Sequence, residues 1–112
     1  MQPADIQLET DGDVRIVVTA GELDLSVAEL LAERIETAAS GPVVVSLAAC
    51  TYADSTILTV LIKATKAHPA LVVLLPATHR LRRIFEIANV DAILSVAATH
   101  DEALALARRG SK

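Results

Sequence analysis

At 112 residues, with ten basic against fourteen acidic side chains and a net charge of −4, the chain lacks the basic surplus of a nucleic-acid binder. Apolar residues make up 53% but aromatics only 2%, so the core is expected to be aliphatic and base-stacking platforms are missing. Cys50 is the single cysteine, which excludes an intramolecular disulfide and a zinc knuckle, and no apolar run approaches the roughly 18 residues of a membrane span. This length predicts one compact domain over residues 1–112, with frayed ends at 1–5 and 110–112. Residues 1–13 carry neither the basic nor the apolar stretch of a secretory leader. The expectation is a cytoplasmic protein without membrane insertion or direct nucleic-acid binding.

Residues 6–10 alternate apolar and polar, and Asp11-Gly12-Asp13 after them is a hairpin signal, because Asp and Gly tolerate positive φ. Residues 15–19 read as the returning strand, ended by Gly21, with a loop over 21–25. Ser26 and Glu29 have capping-box spacing and predict a helix start. Val27, Leu30, Leu31, Ile35 and Ala38 follow as its apolar face, and Gly41-Pro42 ends it. Residues 43–47 are nearly all apolar, as in a strand covered on both faces.

Residues 51–55 read as a polar loop. Residues 57–64 have strand propensity. Their length before His68-Pro69, and the spacing of Thr59, Lys63 and Lys66 by four and three, predict a helix with one polar face. Residues 71–75 form another apolar strand, closed by Pro76. Thr78 is expected to cap a third helix with Leu81, Ile84, Phe85 and Ala88 inward and Asn89 at its end. A short strand falls within 92–97, and Thr99 with Glu102 forms a second capping box before a helix reaching Arg109. The order ββαβαβαβα predicts an α/β fold, a mixed sheet with helices packed against it.

Ser55 stands at a strand–loop–helix transition, and Asp24, Asp54, His68, His79 and His100 supply the residue types of a hydrolase triad. The local sequence Ala53-Asp54-Ser55-Thr56-Ile57 lacks the G-x-S-x-G elbow, and the predicted order places the histidines at helix ends away from Ser55. No pair of His or Cys has metal-ligand spacing, and four glycines make no phosphate loop, so neither metal nor cofactor is expected. Asp54-Ser55-Thr56 has two readings. The residues are ordinary helix caps. Equally, Ser55 at a helix N-terminus is a place for a phosphate, which would meet free N–H groups and add a charge of about −2 directed at a partner. Cys50 reads as a small buried residue and Phe85 as core. Tyr52 is expected to pack with its hydroxyl at a polar rim. Arg80, Arg82 and Arg83 read as a solvated basic helix face.

The stretch Gly21-Glu22-Leu23-Asp24-Leu25-Ser26 resembles the G-E-L-D-L-S entry to the first helix of STAS domains, the anti-sigma factor antagonist family. Residues 43–58, V-V-V-S-L-A-A-C-T-Y-A-D-S-T-I-L, resemble its strand and D-S-[ST]-G-[LI] phosphorylation loop. Residues 83–91 and 101–104 resemble its third and last helices. The resemblance implies a non-enzymatic partner switch. The unphosphorylated antagonist binds an anti-sigma factor that is also a serine kinase, phosphorylation breaks the complex, and a serine phosphatase restores it. It assigns phosphorylation to Ser55, with Thr56 as second choice, and partner binding to Asp24, Asp54, Ser55, Thr56 and Ile57. Ile57 replaces the family's glycine, Ser46 its strand aspartate, Ala48-Ala49 its Ser-Gly, and Tyr52 its usual Phe. The expectation at Ile57 is that a β-branched side chain obstructs a kinase or redirects partner choice. STAS domains also serve as accessory subunits of membrane transporters and signalling assemblies, the alternative role.

Overall fold

The computed structural model describes residues 3–110. Strands β1 (Asp5–Asp11) and β2 (Val14–Leu23) form the opening hairpin, in register from Asp5 opposite Ala20 to Asp11 opposite Val14. Gly12 and Asp13 make the turn, and only Gly12 takes positive φ, at 63°. A glycine at the first central position is the pattern of a II′ hairpin, whose twist matches the strands it joins.

Helix α1 (Ala28–Ala38) leads to β3 (Val43–Ala53), α2 (Ser55–Ala67), β4 (Val72–Leu74), α3 (Leu81–Ile87), β5 (Ser95–Ala97) and α4 (His100–Gly110). The sheet order is β1-β2-β3-β4-β5, with β1 antiparallel to β2 and the other neighbours parallel. This is the expected mixed α/β sheet. Its two faces carry separate apolar clusters. On one face Val17, Val45, Leu47 and Val73 pack with Leu31 and Ile35 of α1, Ile57 and Leu61 of α2, and Leu81 and Phe85 of α3. On the other, Val14, Ile16, Val44, Val72 and Leu74 are covered by Ala103, Leu104 and Ala107 of α4. Alternate residues of one strand serve opposite clusters, which is the period-two geometry of a pleated strand.

Several expected boundaries move. β2 does not stop at Gly21: that residue takes φ 77° and stays opposite Cys50, the register then shifts because β3 carries Thr51 as an extra, bulged residue, and β2 continues to Leu23. β3 likewise runs through Thr51 and Tyr52 to Ala53, because β2 pairs with it that far. The Ser26–Glu29 capping box does not form. The Ser26 hydroxyl donates to Asp24 instead, a one-turn 3-10 helix occupies Leu25–Val27, and α1 begins without a side-chain cap. Thr78 does not cap α3; the His79 ring does, its Nδ1 accepting from the Leu81 N–H at 3.1 Å. Leu81 and Phe85 face inward as expected, whereas Ile84 and Ala88 lie on the surface. Asn89 ends α3 at φ 58°, the left-handed position in which asparagine can replace glycine. Residues Val90–Ala92 form a 3-10 turn, so the last strand starts only at Ser95. The second capping box is half made: the Glu102 N–H donates to Thr99 Oγ1 at 3.1 Å, while the Glu102 carboxylate accepts from Ala98 N–H. Asp5 and Gly110 belong to β1 and α4 instead of frayed ends, while Met1, Gln2, Ser111 and Lys112 lie outside the described residues.

Candidate functional site

Two loops meet at the carboxyl ends of β2 and β3, where open α/β sheets place their binding sites. The strands stay paired to their last residues, Leu23 opposite Ala53, and the Asp54 N–H then donates to the Leu23 carbonyl at 3.2 Å. From there β3 turns at once into α2, with Asp54 alone between them.

Asp54 is extended at φ −87°, ψ 179°, and its Oδ1 accepts from the Ile57 N–H at 3.1 Å, a helix N-cap. Its Oδ2 accepts from the Leu25 N–H at 3.1 Å. One carboxylate therefore caps α2 and ties the first loop to the second. The capping reading is correct for Asp54 and incomplete, since the same group sets the spacing of the two loops.

Asp24 caps the 3-10 turn. Its Oδ1 accepts from the Ser26 N–H at 3.0 Å and from the Ser26 hydroxyl. Those two bonds, the hydroxyl first, hold the Asp24 carboxyl below its usual range. A folded-state pKa lowered in this way contributes stability above the unfolded value, about 3.9, that is lost as pH falls through the folded one. Ser26→Ala is expected to raise the Asp24 pKa toward the unperturbed value, read by NMR titration of its carboxyl carbon. An unchanged pKa would show that the backbone alone holds it down.

Ser55 is the exposed first residue of α2 and Thr56, half-buried, the second. Their N–H groups are among those that helix geometry leaves without an intrahelical acceptor. The Ser55 carbonyl accepts from Thr59 Oγ1 at 3.0 Å, while its hydroxyl has no partner among the described residues. Asp24, Asp54, Ser55 and Thr56 thus share one end of the sheet. Ile57 does not join them: it is 0% exposed, within the cluster formed with Leu23, Ala53, Leu61 and Phe85. The expectation that it meets a kinase or partner directly is corrected by this burial. The third residue of α2 points into the core.

At this end sequence reasoning missed the exposure of Leu25 and misplaced Tyr52. Leu25 is 70% exposed and Tyr52 is 48% exposed. Leu25 lies between two polar neighbours in a segment without helical phase, and that isolation was the available signal. Tyr52 was expected to be packed, but it stands on the open side of β3. Cys50 is buried, its thiol donating to the Tyr52 carbonyl at 3.1 Å, and burial pushes its pKa up.

The histidines are engaged elsewhere. His68 pairs with Glu36 at 3.0 Å, His79 bonds the Cys50 carbonyl at 2.8 Å, and His100 pairs with Asp11 at 2.9 Å. The arginine face divides. Arg82 donates to the Leu75 carbonyl at 2.6 Å and anchors the end of β4, leaving Arg80 and Arg83 exposed. Among the described residues no group of three or more His, Cys, Asp or Glu could hold a metal ion, and no helix is long and apolar enough to cross a membrane.

The STAS domain family model matches residues 5–103. The fold is similar to that of an anti-sigma factor antagonist from Mycobacterium paratuberculosis, at 23% identity over 95% of each chain and a TM-score of 0.82. It is similar to the Bacillus cell fate determinant SpoIIAA in its phosphorylated form, at 20% identity over 90% of this chain and 97% of that one, TM-score 0.64. A sulfate transporter family protein from Wolinella succinogenes is also similar, at 16% identity over 91% and 90%, TM-score 0.69. No curated protein sequence matches the chain. The matched span includes both loops and every strand, and the chain belongs to the STAS domain family.

Proposed function

We propose that this chain is an anti-sigma factor antagonist that binds an anti-sigma factor with serine kinase activity and is released by phosphorylation of Ser55. The observation that carries the reading is the setting of Ser55. Its hydroxyl is exposed at the start of a 13-residue helix, beside a carboxylate already committed to the fold. A phosphate there gains the first-turn N–H groups and the positive end of the helix dipole, so the domain stays folded. Its charge of about −2 then acts outward, next to Asp24, on whatever covers the loops. The exposed Leu25 and Tyr52 supply apolar contact at the same end, and no catalytic group is required. A serine phosphatase resets the switch.

Phosphopeptide mass spectrometry of the protein from its own host, growing and stressed, tests this against a Ser55→Ala control. The expected result is one phosphate on Ser55 whose occupancy changes with condition. Phosphate on Thr56 alone keeps the mechanism and moves the residue. A folded, expressed protein that carries none under any condition overturns it. Ser55→Asp is expected to weaken binding to the kinase by about tenfold or more, equivalent to about 1.4 kcal/mol.

A second reading, accessory domain of a membrane transporter, is favoured by two observations. Fold similarity extends to the sulfate transporter family protein, and the glycine that the phosphorylation loop usually carries is here the buried Ile57. Co-purification with a transporter in place of a kinase would select it.

A further inference from the structure

We propose that the outer face of α1 and α2 is a self-complementary surface on which a second copy of this chain docks, each α1 lying over the other copy's α2. The two helices pack side by side on one face of the sheet. Between them runs a groove of about 340 Å³, floored by small and apolar side chains including Ala32, Val60, Ala64 and Ala67. Its walls carry opposite charge. Glu29 and Glu36 of α1 and Lys63 of α2 line it, and exposed Glu33 on α1 and Thr59 and Lys66 on α2 continue the two rows just outside it, at spacings of four and three. Residues so spaced line one helical stripe, so each helix presents a single row. α2 contains no acidic residue at all. Arg34, the one basic residue of α1, is half-buried and does not line the groove.

Only Glu36 among these charges is paired within the chain, with His68 at 3.0 Å; the described ion pairs include neither Glu29, Glu33, Lys63 nor Lys66. An apolar strip flanked by an acidic row whose Glu29 and Glu33 are in none of the described ion pairs, and by a basic row likewise outside them, matches its own image. A two-fold axis running along the helices sets the acidic row of each copy on the basic row of the other, twice over, and closes the small floor residues against their equivalents. Such an isologous contact terminates at two copies. A face two helices wide and about 16–20 Å long lies at the small end of interface sizes, so the dimer is weak and concentration-dependent. Its charge pairs lie at the rim and are screened by salt. The inference does not rest on the reading of Ser55.

Sedimentation equilibrium of the full chain, from micromolar to millimolar concentration at low and raised salt, tests it. The wild type is expected to form a reversible dimer that raised salt weakens. Lys63→Glu/Lys66→Glu and Glu29→Lys/Glu33→Lys alter only exposed positions, so circular dichroism should match the wild type. Each variant alone is expected to raise the dimer dissociation constant by about tenfold or more, because like charges then face each other. An equimolar mixture of the two variants is expected to recover association, since each then offers the row that the other lacks. A wild type that stays monomeric throughout, a dimer that neither variant weakens, or a mixture that fails to associate overturns the proposal.

Discussion

Replacing Ile57 by glycine is expected to cost about 3–5 kcal/mol of folding stability, the sum of a large buried deletion and of glycine in a helix. The side chain is fully buried between α2 and the sheet, so removing it leaves a void walled by Leu23, Leu61 and Phe85. Equilibrium urea denaturation checks it, and the graded series should order the cause: Ile57→Val about 1 kcal/mol, Ile57→Ala about 2–4, glycine most. Domains of this class are stable by only about 5–15 kcal/mol, so the glycine variant is expected to lose a large share of its stability margin. A loss below about 2 kcal/mol for the glycine variant would mean that the helix start collapses onto the sheet, and that burial here is incidental. The family's glycine therefore cannot be restored to this chain as a neutral test of kinase access. A binding defect in that variant reports lost structure first.

Asp54→Ala is expected to destabilise by about 2 kcal/mol, since an N-cap alone contributes about 1 and the bond to the Leu25 N–H is lost with it. For a domain this size each kcal/mol corresponds to about 4–8 °C in Tm. Asp54→Asn separates the two roles. The asparagine carbonyl still accepts from the Ile57 N–H, whereas its amide nitrogen has nothing to offer the Leu25 N–H. Amide hydrogen exchange should show Leu25 losing protection in both variants, and Ile57 losing part of it only in alanine, because the residue-54 carbonyl also accepts from the Ile57 N–H at 3.1 Å. Equal protection of Leu25 in the wild type and in Asp54→Asn would refute the tie between the loops. The difference also bears on the proposed switch, because the asparagine variant loosens the Asp24 loop while leaving Ser55 in place.

How much was legible follows from where each structure is decided. The ββαβαβαβα order and the helical assignment of residues 57–64 came from periodicity and survive intact, with α2 spanning Ser55–Ala67. Long periodic segments are decided locally, by which face must be buried. Strand ends are decided by partners. Thr51 and Tyr52 read as loop by their setting before Asp54-Ser55, yet β2 pairs with β3 on both sides of Thr51, which is the extra residue of a bulge in β3. Capping boxes are local patterns but face competition for the same backbone N–H. The Ser26 N–H had the Glu29 carboxylate three residues on and Asp24 two residues back, and the aspartate took it. Thr78 lost to His79 for a non-local reason: the His79 ring is fixed from its other nitrogen by the Cys50 carbonyl on β3. In the candidate site, the placement of Asp24, Asp54, Ser55 and Thr56 at one end of the sheet was readable from motif and order. The double duty of Asp54 and the burial of Ile57 were not, because both depend on which elements lie across from α2.

The apolar face served by α4 has a consequence for the order in which the chain can mature on the ribosome. Val14, Ile16, Val44, Val72 and Leu74 are covered by Ala103, Leu104 and Ala107 of α4, with Leu106 of the same helix packed against them. The first hairpin also waits for the same helix, since Arg108 bonds the Asp13 carboxylate at 2.8 Å and His100 pairs with Asp11. Translation proceeds at about 5–20 residues per second and domains fold as their segments emerge, so the three helices of the opposite layer can dock while this side is still bare. Between the synthesis of α3 and that of α4, about 1–5 s at that rate, the nascent sheet therefore exposes a strip of valine, isoleucine and leucine to solvent, which α4 then covers.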